Sequence, residues 1–140
     1  NYIVNDAPMP DGKQLWFRVE VEHRLFAGFC VFDPKAASEE GQGDQVDEYD
    51  GETEKAVEHY LKIRAADHKN WWATWWYLPA GEQKPNDSVP KFKMMNDAAI
   101  ALADKECRAA FVTECIHKIE TEIERVCQRS AMRKSVAHTE

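Results

Sequence analysis

The C-terminal third of the chain contains neither glycine nor proline from Lys91 to Glu140. Within it, ten residues succeed one another at alternating steps of three and four, and nine of the ten are apolar. This spacing places the apolar side chains on one face and predicts one long amphipathic helix over residues 91–128, followed by a basic tail over 129–140. The seam consists of Met95, Ala98, Leu102, Lys105, Ala109, Val112, Ile116, Ile119, Ile123 and Val126.

The predicted length of this helix bears on the oligomeric state of the protein. A helix from Lys93 to Cys127 would be about 50 Å long at 1.5 Å per residue, whereas a compact domain of this size has a diameter of roughly 35–40 Å. The sequence therefore favours a homodimer joined through the seam. The alternative is a monomer in which the helix lies across its own sheet and contacts the first helix. The predicted dimer interface consists of Leu102, Ala109, Val112, Ile116, Ile119, Ile123 and Val126.

The N-terminal segment, residues 1–33, has the pattern of a β-meander. Residues 15–22 alternate, with Phe17, Val19 and Val21 on one side and charged residues on the other, as in a half-buried strand. The Asp11-Gly12 turn before it predicts pairing with Tyr2 to Val4. Residues 25–32 are apolar on both sides and predict a second strand that ends at Asp33-Pro34.

The next segment is acidic. Eight carboxylates and no Lys or Arg occur between Ala36 and Glu54, in a chain whose net charge is −7. We expect a loop over residues 34–50 and a helix over 51–67 that Asp50 or Thr53 caps. The loop is either plainly solvated or a surface that binds a basic protein. A calcium-binding loop is disfavoured because Val46 and Val57 would occupy two ligand positions. The predicted partner-binding acids are Asp44, Asp47, Glu48, Asp50, Glu52 and Glu54.

Four of the five tryptophans fall within six residues. Aromatic content and the following Pro79 favour a strand over residues 71–78, although i, i+4 tryptophan pairs would also suit a helix. A proline-rich loop over 79–90 follows. As a strand, the segment has aromatic residues on both faces, and they form either internal core, a partner-binding patch, or a platform that stacks nucleic-acid bases. The predicted binding residues are Trp71, Trp72, Trp75, Trp76 and Tyr77.

Catalytic and metal-binding patterns are missing from the sequence. It has no nucleophile elbow, phosphate-binding glycine loop or dinucleotide fingerprint. The four cysteines match no zinc spacing, and no third ligand accompanies His59 and His68. We expect no metal, no cofactor and no enzymatic activity. The start of the chain resembles no signal peptide and no apolar run approaches a membrane span, so we expect a cytoplasmic protein.

These patterns predict one domain over residues 1–140 with an α+β fold: an antiparallel meander of three to four strands covered by two helices, of which the C-terminal one is long and amphipathic. The predicted function is that of a small regulatory or inhibitory protein. It would contact a protein partner, itself basic or nucleic-acid-binding, through the acidic segment and an aromatic patch, as a homodimer. The alternative is a module that binds single-stranded nucleic acid or nucleotides on its tryptophans, although the flanking cations are sparse.

Overall fold

The computed structural model describes residues 1–65, 71–84 and 86–139, with side chains up to residue 131. Within these residues, five strands and three helices occur in the order β1 (Tyr2–Ile3), β2 (Gln14–Val21), β3 (Leu25–Ser38), β4 (Gly41–Gln45), α1 (Gly51–Leu61), β5 (Trp72–Tyr77), α2 (Asp97–Ala101) and α3 (Lys105–Thr139). The fold is therefore α+β, as the sequence predicts, with one additional short helix.

The strands form a single sheet in which β1, β2, β3 and β4 are neighbours in that order and β5 also pairs with β3. Strand β1 is antiparallel to β2, with Tyr2 opposite Phe17, and β4 is antiparallel to β3, with Phe32 opposite Gln45. The predicted pairing of the first residues with the alternating strand is confirmed. The tryptophan segment is also confirmed as a strand.

The chain divides into two compact units, which are described separately. The first comprises Asn1–Arg18, Gly28–Thr74 and Ile123–Glu140, and the second comprises Val19–Ala27 and Trp75–Glu122. The first unit has a core in which the rings of Phe17 and Phe29 meet edge to face with centroids 5.2 Å apart. Its other large buried residues are Leu15, Val31, Val57, Tyr60, Trp72 and Val126. The second unit buries Ala27, Trp76, Leu78, Val89, Ala99 and Cys115.

Strand β2 is only partly the half-buried strand predicted from its alternation. Leu15 and Phe17 are buried, but Val19 and Val21 are 42% and 66% exposed. Alternation identifies which side chains share a face of the strand. It does not reveal how far along the strand that face is covered by other residues.

The predicted acidic loop over residues 34–50 is wrong in its first part. Strand β3 does not end at Asp33-Pro34 but continues to Ser38, and β4 follows as its antiparallel partner. Proline has no N–H for the ladder, and it is accommodated here where the register of the two strands shifts between Asp33 and Ala37. The acidic segment therefore begins with a β-hairpin.

Helix α1 begins as predicted but ends early. The side chain of Asp50 accepts a hydrogen bond from Thr53 N at 2.8 Å, which confirms Asp50 as the N-cap. The helix ends at Leu61 because Lys62 adopts the left-handed conformation at φ 55°. The predicted end at residues 66–67 lies outside the described residues. Val57 and Tyr60 provide the buried face.

The predicted helix over residues 91–128 is wrong at both ends. Residues 91–96 form a bridge and turns, and Asn96 caps the short α2 by accepting a hydrogen bond from Ala99 N at 3.0 Å. Asp104 then accepts one from Cys107 N at 2.9 Å, and α3 begins there. Helix α3 continues to Thr139, so the backbone of the predicted basic tail is helical. The short polar side chains of Asn96 and Asp104 therefore divide the predicted helix, although no glycine or proline interrupts it.

The contact between α1 and the N-terminal segment gives a test of this packing. Tyr60 is buried, and its hydroxyl donates a 2.8 Å hydrogen bond to the carbonyl oxygen of Pro8. Tyr60→Phe should lower the free energy of unfolding by about 1 kcal/mol, because the carbonyl loses its partner. Urea unfolding measures the difference. Tyr2→Phe is the control, since Tyr2 is 55% exposed and its substitution should change little; equal stability of the two variants would contradict this packing.

Candidate functional site

The hairpin of β3 and β4 is the most acidic element of the first unit. Ser38 pairs with Gly41, so Glu39 and Glu40 form the turn between the strands. Asp33 lies directly opposite Asp44 across the hairpin. Two like charges facing each other destabilise an antiparallel pair. The opposed carboxylates therefore concentrate negative charge on the hairpin.

Local hydrogen bonds hold the two opposed carboxylates of the hairpin. Asp33 Oδ1 accepts from Lys35 N at 2.9 Å, and Asp44 Oδ1 accepts from Gln45 N at 2.8 Å. The hydroxyl of Ser38 donates to the carbonyl oxygen of Gly41 at 3.2 Å and ties the turn. The two backbone N–H groups orient the carboxylates without neutralising them, because both donors are uncharged.

An aromatic pair supports the hairpin. The rings of Trp16 on β2 and Phe32 on β3 are stacked with centroids 4.1 Å apart and an interplanar angle of 20°. Gly43 has φ +102°, and a Cβ atom there would lie 2.5 Å from Phe32 Cζ. The glycine is therefore required both by its backbone conformation and by the ring against it. An open groove lies along the hairpin. It is lined by Phe32, Ala37, Ser38, Glu39, Glu40, Gly43, Asp44 and Gln45.

The rest of the acidic segment leads into α1. Asp47, Glu48, Glu52 and Glu54 are exposed there. Asp50 is exposed too, but its pKa is lowered, chiefly because its carboxylate accepts the backbone hydrogen bond of Thr53 and also because Lys13 lies 3.5 Å away. Asp50 therefore has a structural role as a helix cap. The other five predicted binding acids are exposed as well: Asp44, Asp47, Glu48, Glu52 and Glu54.

The tryptophans in and next to β5 differ in burial. Trp72 and Trp76 are only 8% and 7% exposed. In the first unit Trp71 stacks on Trp72 with centroids 4.5 Å apart, and the guanidinium carbon of Arg18 lies 4.6 Å from the centre of the Trp71 ring. Such a contact is a favourable cation–π geometry. The Trp72 and Trp76 face is thus core, whereas Trp71 is half-buried.

Trp75 and Tyr77 belong to an aromatic group of the second unit. Trp75 meets Phe26 and Tyr77 edge to face, at centroid distances of 6.3 and 5.1 Å. Arg24 lies over the Tyr77 ring at 5.5 Å. All three rings are half-buried. They line a small recess together with Glu22, His23 and Arg24.

The residues of the predicted dimer interface differ widely in exposure. Val112 and Ile116 are 46% and 48% exposed, and Ala109 is exposed as well. Leu102 lies in the break before α3 and is half-buried, as are Ile119 and Ile123. Val126 is buried at 1%. Of the seven residues of the predicted interface, Ala109, Val112 and Ile116 are therefore the exposed ones.

The thiols on α3 are poor nucleophiles. Burial and the neighbouring Glu114 raise the pKa of Cys115 to about 11. The hydrogen bond with Asp104 raises the pKa of Cys107, and burial raises that of Cys127. A thiol with a raised pKa is protonated at neutral pH and unreactive. The four cysteines, all of them described, are thiols outside any disulfide.

Among the described residues, no three His, Cys, Asp or Glu side chains are arranged to hold a metal ion. No helix in that part of the chain combines the length and the apolar character of a membrane span. No protein-family model, curated protein or solved structure matches this chain. Inferences about function therefore rest on the geometry of the chain itself.

Sequence reasoning missed part of this site. Trp16, Phe32 and Asp33 were not among the predicted binding residues, and neither were Glu39 and Glu40. The two glutamates were visible as charges of the acidic segment. The predicted meander pairs β2 with β3, but no local pattern in the sequence indicates the register that stacks Phe32 on Trp16.

The two hairpin glycines provide a matched test of the aromatic support. Gly43→Ala should destabilise the protein and change the near-ultraviolet circular dichroism of Trp16, because the new methyl group displaces the Phe32 ring. Gly41→Ala is the control: its φ is also positive, at +133°, but no atom lies within 4 Å of the added Cβ. Both variants carry backbone strain, so the difference between them reports the ring contact. Identical spectra for the two would exclude it.

Proposed function

We propose that this chain is a non-enzymatic binding protein whose acidic hairpin docks on a basic surface of a protein partner. The observation that carries the proposal is the opposition of Asp33 and Asp44 on a hairpin whose turn is Glu39-Glu40. A repulsive pair at this position is costly in the free protein. A cationic surface that approaches the hairpin relieves this repulsion. Complementary charge across an interface acts in the same way.

Two further observations support docking on a protein. The hairpin rests on the stacked rings of Trp16 and Phe32, and both rings are half-buried, so the acidic groove has an apolar floor at Phe32. Interfaces commonly combine an aromatic anchor with a polar rim. A preformed hairpin also needs little ordering on binding, which favours affinity. A basic protein that normally holds nucleic acid has the complementary charge.

Base stacking on the tryptophans is the less favoured alternative. A stacking platform needs open aromatic faces beside a cationic track. Trp72 and Trp76 are largely covered, and the ring of Trp71 already contacts Trp72 and Arg18. Trp71, Trp75 and Tyr77 are half-buried and stay candidate contacts for a protein partner, for which one open edge is sufficient.

The docking proposal is tested by neutralising the hairpin. A tagged Glu39→Gln, Glu40→Gln, Asp44→Asn variant should lose a basic protein that the unchanged chain captures from cell lysate. The loss of three charges should also reduce the salt sensitivity of that capture, because exposed charges attract through a screened field. Quantitative mass spectrometry of the captured proteins across a salt series is the measurement.

The control variant carries Glu106→Gln, Glu114→Gln and Glu120→Gln on α3, which are exposed residues outside the hairpin. It has the same net charge as the hairpin variant and should retain the partner. Equal loss from both variants would mean that total charge matters rather than the hairpin. Quenching of tryptophan fluorescence by a single-stranded oligonucleotide would instead support the stacking alternative.

We further propose that the chain is a homodimer through the exposed part of the α3 seam. Ala109, Val112 and Ile116 lie at steps of three and four and so share one stripe of the helix. An apolar stripe in water is commonly covered by a partner, and a second copy of the same helix supplies a matching one.

Sedimentation velocity tests this assembly. Ile116→Asp should shift the protein from dimer to monomer while leaving it folded, because Ile116 is 48% exposed in the free chain. Ala110→Asp is the control, because Ala110 is also exposed but lies about 100° around the helix from Ala109 and so outside the stripe. A dimer that survives Ile116→Asp, with the fold intact by circular dichroism, would exclude the seam as the interface.

A further inference from the structure

A basic groove lies between α1 and α3 within the first unit. Its volume is about 330 Å³, and its lining comprises His59, Lys62, Arg125, Gln128 and Arg129. Three of these residues carry a permanent positive charge, and none of the described lining residues is acidic. The chain as a whole has a net charge of −7. The groove is thus a local reversal of the charge that dominates the molecule.

The groove is built by corresponding faces of two helices. Arg125, Gln128 and Arg129 lie at i, i+3 and i+4 on α3 and therefore share one face. His59 lies in the last turn of α1, and Lys62 is its C-cap. A ligand in the groove would thus meet donors from two separate elements.

Two hydrogen bonds fix the groove wall. Arg129 Nη1 donates to the carbonyl oxygen of Tyr60 at 2.7 Å. His59 Nε2 lies 3.1 Å from the carbonyl oxygen of Arg129 and must be the donor, because a carbonyl oxygen only accepts. The two contacts hold the guanidinium and the imidazole in place before any ligand arrives. Such preorganisation lowers the cost of binding.

The groove lies at the C-terminal end of α1, and this position accounts for part of its positive charge. Cations are favourable near the C-terminus of a helix, and Arg129 satisfies a terminal carbonyl there. One such contact occupies one of the five N–H donors of a guanidinium. Lys62 and Arg125 bring two further positive charges to the same groove, and both would attract an anion that enters it.

We infer that this groove binds the phosphate group of a small phosphorylated ligand. Phosphate carries nearly two negative charges and three strong acceptor oxygens, which suits convergent donors on two helices better than a single carboxylate does. The planar fork of an arginine donates two parallel hydrogen bonds to such a group. This inference concerns a surface of α1 and α3 and is independent of the acidic hairpin.

Calorimetric titration of the full chain tests the inference, with inorganic pyrophosphate and ADP as the probes, at an ionic strength of about 0.15 M where exposed charges are screened beyond roughly 8 Å. Saturable binding at one site is expected. The Lys62→Gln, Arg125→Gln variant should bind at least about tenfold more weakly, since hydrogen bonds to charged groups are the strong ones. Both substituted side chains are exposed, so the fold should be retained. Equal affinity for the two probes would identify the phosphate as the recognised group, and tighter ADP binding would add its nucleoside; both support the site.

The matched control is Lys55→Gln, Lys105→Gln, which removes the same charge from exposed positions outside the groove. It should bind pyrophosphate within about twofold of the unchanged chain, because screened charges at a distance contribute little. Absence of saturable binding to either probe would overturn the inference. Equal weakening in both double variants would overturn it as well, by showing only general attraction to cations.

Discussion

The structure depends on the hydrogen bonding of strand β3. It is the longest of the described strands, and it pairs with three others, β2, β4 and β5. Its apolar residues from Ala27 to Val31 are buried, and buried N–H and C=O groups must find partners. A strand apolar on both sides therefore requires neighbours at its edges as well as cover on its faces. The residues beyond Phe32 extend this well-paired strand into the acidic hairpin and place carboxylates on a regular scaffold.

The sequence predicts best those elements in which apolar residues recur at a regular spacing. The strands β1 and β2, the N-cap of α1 and the existence of a long C-terminal helix follow from alternation, from Asp50 and from apolar spacing. The start of α3 does not, because Asn96 and Asp104 divide the predicted helix through side-chain hydrogen bonds. Asparagine and aspartate are ordinary residues on the surface of a helix, and only the local backbone decides whether either acts as a cap.

The candidate site is predictable as charge but not as shape. Eight carboxylates without a compensating cation are evident in the sequence, whereas their hairpin is not, because glycine and glutamate are poor strand formers. Pairing with β3 overrides that propensity. The tryptophans show the converse: their number suggests a binding surface, yet burial assigns Trp72 and Trp76 to the core. Composition indicates which groups are available, and tertiary pairing decides which of them face solvent.

The opposition of Asp33 and Asp44 has a thermodynamic consequence for the free protein. A cationic surface that neutralises the pair removes a repulsion present only when the hairpin is formed. Such a partner binds the native state in preference to the unfolded chain, and linkage requires that the stability of the fold rise with the logarithm of its concentration once the site is largely occupied. The hairpin would then be a region whose local opening is suppressed by occupancy. The partner would slow amide hydrogen exchange in β4 at lower concentrations than it slows exchange in the rest of the sheet.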